Sequence, residues 1–197
     1  MLKKLKPMVE LCLSKLFRIL PRIHPNVITV IGIVPPVLFY YFLSHQMLIP
    51  ALISFCGIVI DLFDGVYARS TNQVTKFGAF LDSSLDRIAD AIFISAFAAA
   101  GIVSWPVAVL LTILSFTISY VRSRGENLFE GKVTIASGPI ERAERLAILF
   151  LALLVYIFLP DVLVLDIKLT ILIFWTLIIL SIVTIINRVR LVYSKSA

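Results

Sequence analysis

Asp61-Leu-Phe-Asp64-Gly65-Val-Tyr-Ala68-Arg69 is followed, after eight residues, by Gly78-Ala-Phe-Leu-Asp82-Ser-Ser-Leu-Asp86, so four carboxylates sit inside otherwise apolar sequence. On a helix Asp61, Asp64, Gly65 and Ala68 recur at i, i+3, i+4 and i+7 and share one face. Gly78, Asp82 and Asp86 recur at i, i+4 and i+8 and share the face of a second helix. The mostly polar stretch 70–77 fits a tight connection that sets the two helices antiparallel, so that two acidic faces meet. Four like charges away from bulk water repel one another and are costly to desolvate, and a cation must join them. The donors are all hard oxygens with no Cys or His nearby, which selects Mg²⁺ or a similar hard divalent ion such as Mn²⁺. Solvated helix ends at a membrane surface are the plainer alternative. Gly65, Ala68 and Gly78 argue against it by clearing room for a bulky ligand beside the carboxylates, and ionisable groups within spans are functional by default.

Working outward, the 197 residues are 60% hydrophobic, with a mean hydropathy of +1.02, which places the chain among membrane proteins. The expected fold is an all-α integral membrane protein. Six transmembrane helices of about 20 residues, the length a bilayer core demands, are predicted near 26–44, 50–69, 79–101, 104–124, 142–160 and 164–187. Pro35-Pro36 should kink the first, Pro106 fits the first turn of the fourth, and Pro160 closes the fifth. The spans form one domain over 25–197, preceded by a segment over 1–24. In that segment Glu10, Ser14, Arg18 and Arg22 form a polar stripe opposite Leu5, Val9, Leu13, Leu16, Phe17 and Leu20. It reads as an N-terminal amphipathic helix in the headgroup plane, facing anionic membrane lipids, and not as a signal peptide. Cys12 and Cys56 read as free packing thiols, and His24 and His45 as interfacial residues.

Charge orients the bundle. Of 18 Lys and Arg residues only Lys168 falls on the far side of these spans. The other side, on which the acidic stretch opens, is the cytoplasmic one by the positive-inside rule, as for a multi-pass protein of the cell membrane. The net charge of +6 is then an orientation and headgroup signal. No soluble basic domain exists to carry nucleic-acid binding.

A second constellation occupies the same end of spans four to six. It comprises Ser119-Tyr-Val-Arg122-Ser-Arg124-Gly-Glu126, then Gly138-Pro-Ile-Glu141-Arg142-Ala-Glu144-Arg145, and Asn187-Arg188-Val-Arg190. Arg122 stands one turn before Glu126, and Glu141 one turn before Arg145, so some of these could pair. The arginine-rich character also suits a phosphate, whose oxygens match the planar guanidinium fork.

The pattern D-x2-D-G-x2-A-R-x8-G-x3-D-x3-D, complete from Asp61 to Asp86, resembles the signature of the CDP-alcohol phosphotransferase family of membrane enzymes. The resemblance implies that Asp61, Asp64 and Asp82 are metal ligands and that Asp86 helps to hold a second ion. Gly65, Ala68, Arg69 and Gly78 would border the CDP of a CDP-activated lipid donor, together with Asp61. His24-Pro25-Asn26-Val27-Ile28-Thr29 is similar to the family's Pro-Asn-x-[Ile/Val]-Thr element and adds Asn26 and Thr29 to the donor set. Asp86, on the face of Gly78, is the candidate catalytic base for the acceptor hydroxyl.

The second constellation resembles the phosphatidylinositol-phosphate synthase branch of that family and its archaeal counterpart. By that resemblance Arg122, Arg142 and Arg188 hold the phosphate of an inositol phosphate acceptor. Arg122 stands where bacterial members tend to carry lysine, which keeps the charge and changes the geometry. The implied reaction passes a diacylglycerol- or archaeol-type phosphatidyl group from a CDP-lipid to inositol 1-phosphate and releases CMP, and the family implies a homodimer. Glycerol 3-phosphate, serine and free inositol are rival acceptors; the last two would leave the three arginines without a phosphate. A divalent-cation transporter also uses intramembrane aspartates, but a large Arg cluster would repel its cargo.

Overall fold

The computed structural model describes residues 24–60, 67, 71, 73–164 and 166–196. Apart from His24, the segment expected to lie in the headgroup plane falls outside these residues. So do Asp61, Asp64, Gly65, Ala68 and Arg69.

The described chain is mostly helical. Helix α1 (Pro25–Ile31) is capped by His24, whose ring Nδ1 accepts from Asn26 N at 3.3 Å. A turn at Gly32-Ile33 separates it from α2 (Val34–Ser44), which carries Pro35 and Pro36 in its first turn. The expected kink is therefore a full break and restart, because neither proline can donate to the preceding turn. Helix α3 (Leu48–Cys56) runs into a 3₁₀ turn, Gly57–Ile60. Helix α4 (Lys76–Ala99) starts at Thr75, whose hydroxyl accepts from Gly78 N at 2.9 Å, and ends before Gly101 at φ +72°. Helix α5 (Trp105–Leu128) has Pro106 in its first turn, as expected. Helix α6 (Arg142–Phe158) begins in a capping box of Glu141 and Glu144 and stops before Pro160. Strands β1 (Leu163–Val164) and β2 (Ile167–Lys168) pair antiparallel and lead into α7 (Leu169–Ser196).

Several boundaries differ from the hydropathy reading: the helix expected over 50–69 begins at Leu48 and gives way to a 3₁₀ turn after Cys56, and the one expected over 79–101 begins at Lys76. Helix α5 continues past residue 124 to Leu128, because Arg122 pairs with Glu126 one turn on and helical propensity outlasts the apolar run. The sixth expected span, α7, starts later and runs further than 164–187, because the segment before it folds as a hairpin turned at Asp166 (φ 61°). Hydropathy marks where a bilayer ends, whereas caps and turns mark where a helix ends.

Helix α2 packs on α4 and α3, α4 on α5, and α7 on α5 and α6. The core is aromatic. The ring of Phe39 lies 5.1 Å from Phe55, Phe55 lies 4.7 Å from Phe93, and Phe97 lies 5.1 Å from Phe174, which joins α2, α3, α4 and α7. Such pairs are worth about 0.5–1.5 kcal/mol each beyond burial. Ala89, Ala96 and Ala98 are buried along α4 and let its neighbours approach closely, which is how helices associate where lipid removes the hydrophobic drive. At the end away from the aspartates, Gln46 donates to Ala100 O at 3.0 Å and accepts from Tyr156 OH at 2.8 Å, tying α2, α4 and α6.

Among the described residues, three helical stretches are long and apolar enough to cross a membrane: Pro25–Ser44, Trp105–Leu128 and Leu169–Ser196. Helix α4 has the length but carries Asp82, Asp86, Arg87 and Asp90, and α6 has 17 residues.

Candidate active site

Asp82, Asp86 and Asp90 follow one another every four residues of α4, a ladder of carboxylates on one helix face. At the start of that helix a Cβ on Gly78 would lie 3.0 Å from Thr75 Oγ1 and 3.1 Å from Asn26 Oδ1. The bare glycine thus lets the start of α1 meet the start of α4 and brings two of the expected donor residues together. Thr29, also expected there, is buried and donates its hydroxyl hydrogen bond to Pro25 O at 3.2 Å, closing the first turn of α1.

Beside the ladder is a cavity of about 1120 Å³, walled by α3, α4, α5, α6, α7 and the loop before α6. Asp86, Arg122, Arg142 and Arg188 all line it, although the three arginines come from three different helices. Asn26, Thr29, Gly78 and Asp82 do not line it. Five guanidinium groups, those of Arg87, Arg122, Arg142, Arg145 and Arg188, face four carboxylates, those of Asp86, Asp90, Glu126 and Glu141. Phe55, Cys56, Leu146 and Phe150 add an apolar share to the lining.

The partners are specific. Arg122 Nε donates to Glu126 Oε1 at 3.0 Å, and its Nη1 lies 3.9 Å from Glu141 Oε1. Glu126 also accepts from Ile135 N at 3.2 Å, which fastens the loop before α6 onto α5. Arg142 Nη1 lies 2.6 Å from Asp86 Oδ1, and its Nε donates to Asp90 Oδ1 at 3.3 Å. Arg145, one turn along α6, donates from Nη2 to Asp90 Oδ2. Arg188 is 2% exposed and donates to Ile118 O at 2.8 Å, Ser137 O at 3.2 Å and Glu141 Oε1 at 3.5 Å. Gly138 makes that last set possible. It sits at φ +132°, and a Cβ there would stand 2.9 Å from the Thr184 Cα, so only glycine lets the loop lie on α7 one turn from Arg188. Ile140 N donates to Thr184 Oγ1 at 3.3 Å and locks the contact.

Glu141 does not pair with Arg145, although the spacing allowed it. Glu141 is the N-cap of α6 and so lies outside the helical face, and its carboxylate turns to Arg188 and Arg122 instead. Asp90 is the residue that sequence reasoning missed, and Arg145 entered it only as a possible partner of Glu141. The signal for Asp90 was its register, since it continues the Gly78, Asp82, Asp86 repeat by one more turn.

Asp82 and Asp86 supply hard oxygen donors at helical spacing, a donor set that fits a magnesium-like dication. Among the described residues no three acidic, His or Cys side chains gather to hold a metal, and Asp61 and Asp64 lie outside those residues.

A charged cavity at one end of an otherwise apolar helical bundle is the architecture of a membrane enzyme that handles an anionic, water-soluble group beside lipid. The model for CDP-alcohol phosphatidyltransferases matches residues 22–187, and the chain belongs to that family. It is 38% identical over 156 residues to an archaetidylinositol phosphate synthase from Pyrococcus horikoshii, covering 77% of this chain and 81% of that one. It is 32% identical over 179 residues to a phosphatidylinositol phosphate synthase from Mycolicibacterium smegmatis, covering 85% and 77% of the two chains. Among solved structures, phosphatidylinositol phosphate synthase from Mycobacterium tuberculosis with CDP-DAG bound superposes with a TM-score of 0.76 at 26% identity, over 92% of this chain and 93% of that one. A structure of the same mycobacterial enzyme in complex with manganese and citrate gives 0.71 at 26% identity, over 87% and 83%.

Proposed function

We propose that this enzyme transfers a phosphatidyl-type group from a CDP-activated lipid to a hydroxyl of inositol 1-phosphate and releases CMP. The observation that carries this reading is the convergence of Arg122, Arg142 and Arg188, from three helices, on the cavity that also holds Asp86. Similarity to the archaetidylinositol phosphate synthase of Pyrococcus and the phosphatidylinositol phosphate synthase of Mycolicibacterium supports the acceptor. The CDP-DAG bound to the Mycobacterium tuberculosis enzyme supports the donor.

In this reading Asn26, Thr29, Asp61, Gly65, Ala68, Arg69 and Gly78 hold the donor's CDP. Asp61, Asp64, Asp82 and Asp86 hold two divalent ions, Mg²⁺ or Mn²⁺, and the manganese complex of the mycobacterial relative supports the metal. When bound, the ions neutralise the pyrophosphate and stabilise charge on the departing CMP. Asp86 takes the proton of the acceptor hydroxyl as its oxygen attacks the phosphorus that bears the lipid. The bond from that phosphorus to the bridging oxygen breaks, and CMP leaves. The arginines grip the acceptor's own phosphate in competition with the carboxylates that now pair with them. Glu126 and Glu141 are half-exposed partners of Arg122, so an incoming dianion of phosphate can displace them at small cost.

The domain over 25–197 carries six spans, α4 and α6 among them. Asp86, Arg87 and Asp90 of α4 and Arg142 and Arg145 of α6 line the cavity, which supports counting these helices. The segment over 1–24 lies in the headgroup plane as an amphipathic helix. The cavity opens to the cytoplasm by the basic excess at its end of the bundle, and the functional unit is a homodimer, as the family resemblance suggests.

The test is CMP release by purified protein from a CDP-lipid with Mg²⁺ and a panel of acceptors. Inositol 1-phosphate should be strongly preferred over glycerol 3-phosphate, serine and free inositol. CMP release that is as fast with any of the other three would overturn the acceptor assignment.

A further inference from the structure

The geometry points to Asp90 as a positioning residue for acceptor binding: its buried carboxylate bridges Arg142 and Arg145 and so sets Arg142 in the cavity wall. The inference rests on the acceptor reading above and adds to it a residue outside the family signature.

Asp90 is 4% exposed, on a helix that buries Ala89, Phe93 and Ile94 beside it, where a lone carboxylate is costly. It is retained with two guanidinium partners, one on each oxygen. Oδ1 accepts from Arg142 Nε at 3.3 Å, and Oδ2 accepts from Arg145 Nη2. Arg145 is 1% exposed, and its Nε and Nη1 are buried with no hydrogen-bond partner among the described residues. Although it lines the cavity, its near-complete burial makes it an anchor for Asp90. Arg142 is the more open of the two, at 26% side-chain exposure, and its Nη1 reaches Asp86. A guanidinium has two edges. Asp90 holds the Nε edge of Arg142, which fixes the direction of the Nη groups toward Asp86 and the cavity. An acceptor phosphate beside the proposed base would then compete with Asp86 for Nη groups already aimed at it. Asp90 sits one turn beyond Asp86 on α4 while Arg142 opens α6, so the contact also fixes the register between the helix of the aspartates and the helix of the acceptor site.

Two variants test this. Asp90→Asn removes the charge with nearly the same shape. Because it also strands the buried Arg145, it is paired with Asp90→Asn/Arg145→Met, which removes both buried charges together and spares the fold that penalty. For the solubilised full-length protein, KM for inositol 1-phosphate, KM for CDP-lipid and the Kd for inorganic phosphate without donor are measured. In both variants KM for the acceptor and the Kd for phosphate should rise about tenfold to a hundredfold, as for a lost charge-assisted contact. KM for CDP-lipid should stay within about twofold. A purely structural role would lower the active fraction, and hence kcat, without this split. A folded double variant with the wild-type acceptor KM and phosphate Kd overturns the inference. So does an equal rise in both substrates' KM. If wild-type protein prefers a phosphate-free acceptor and binds no inorganic phosphate, the acceptor reading itself is wrong and the inference falls with it. That outcome is visible in the wild-type arm alone.

Discussion

Asp86 lies on the aspartate face of α4, 2.6 Å from Arg142. Asp86→Asn should keep the fold and CDP-lipid binding and lower kcat by about 10²–10⁴, the loss typical of a removed general base. Near-normal turnover would rule out that role. Asp61→Asn or Asp82→Asn should abolish turnover by weakening the metal site, and a variant that kept wild-type activity and metal dependence would refute the ligand assignment. The three arginines should not behave alike. Arg122, half-exposed and held by Glu126, can be removed without loss of fold, and Arg122→Ala should raise acceptor KM on the order of tenfold to a hundredfold. Arg188→Ala should do the same and also lower Tm, because Arg188 is buried on the carbonyls of Ile118 and Ser137. Thermal unfolding alongside kinetics separates the two effects. At this scale the sequence told which residues carry charge toward the site but not which partner each would choose. Glu141 and Arg145 have pairing spacing, yet one caps the helix and the other turns down to Asp90, and a one-dimensional spacing rule has no access to either fact.

Apolar periodicity and proline placement were enough to locate most helices, because Pro106, Pro160 and Pro35-Pro36 act locally through a missing N–H and a fixed φ. The extension of α5 to Leu128 and the hairpin before α7 were not legible from hydropathy, since polar residues continue a helix outside lipid as readily as they end it. Those extra turns matter, because Arg122 and Glu126 lie on the last part of α5 and Arg188 well inside α7. The loop between α5 and α6 lies against Arg188 and Thr184 of α7, and Gly138 is its tightest point. Gly138→Ala would put a Cβ at positive φ and against the backbone of Thr184. The φ penalty alone is about 1–2 kcal/mol, and the displaced loop should also loosen Ser137 from Arg188. The expected result is a lower Tm together with a raised acceptor KM and an unchanged donor KM. If Gly138→Ala lowered Tm and left the acceptor KM at its wild-type value, the loop would have no part in holding Arg188.

Across the whole molecule, the basic excess and the aspartate ladder share one end of the bundle, and the short hairpin with Lys168 belongs to the other. In a cysteine-free background, Glu130→Cys should react with an impermeant thiol reagent only from the cytoplasmic face and Asp166→Cys only from the opposite face. Both are exposed positions, and neither lines the cavity. Labelling of both from one side would contradict a membrane crossing by α6, which lies between them. The architecture suits a reaction in which the donor's lipid tails stay in the bilayer while its nucleotide meets a soluble, phosphorylated polyol at the water-facing end. That chemistry leaves a mark on its product. Incubating the purified protein with CDP-lipid, Mg²⁺ and inositol 1-phosphate and weighing the new lipid by mass spectrometry tests it most directly. The expected product carries two phosphates, the diester made in transfer and the intact monoester of the acceptor. A lipid with the diester phosphate alone, or no new lipid at all, would contradict the account.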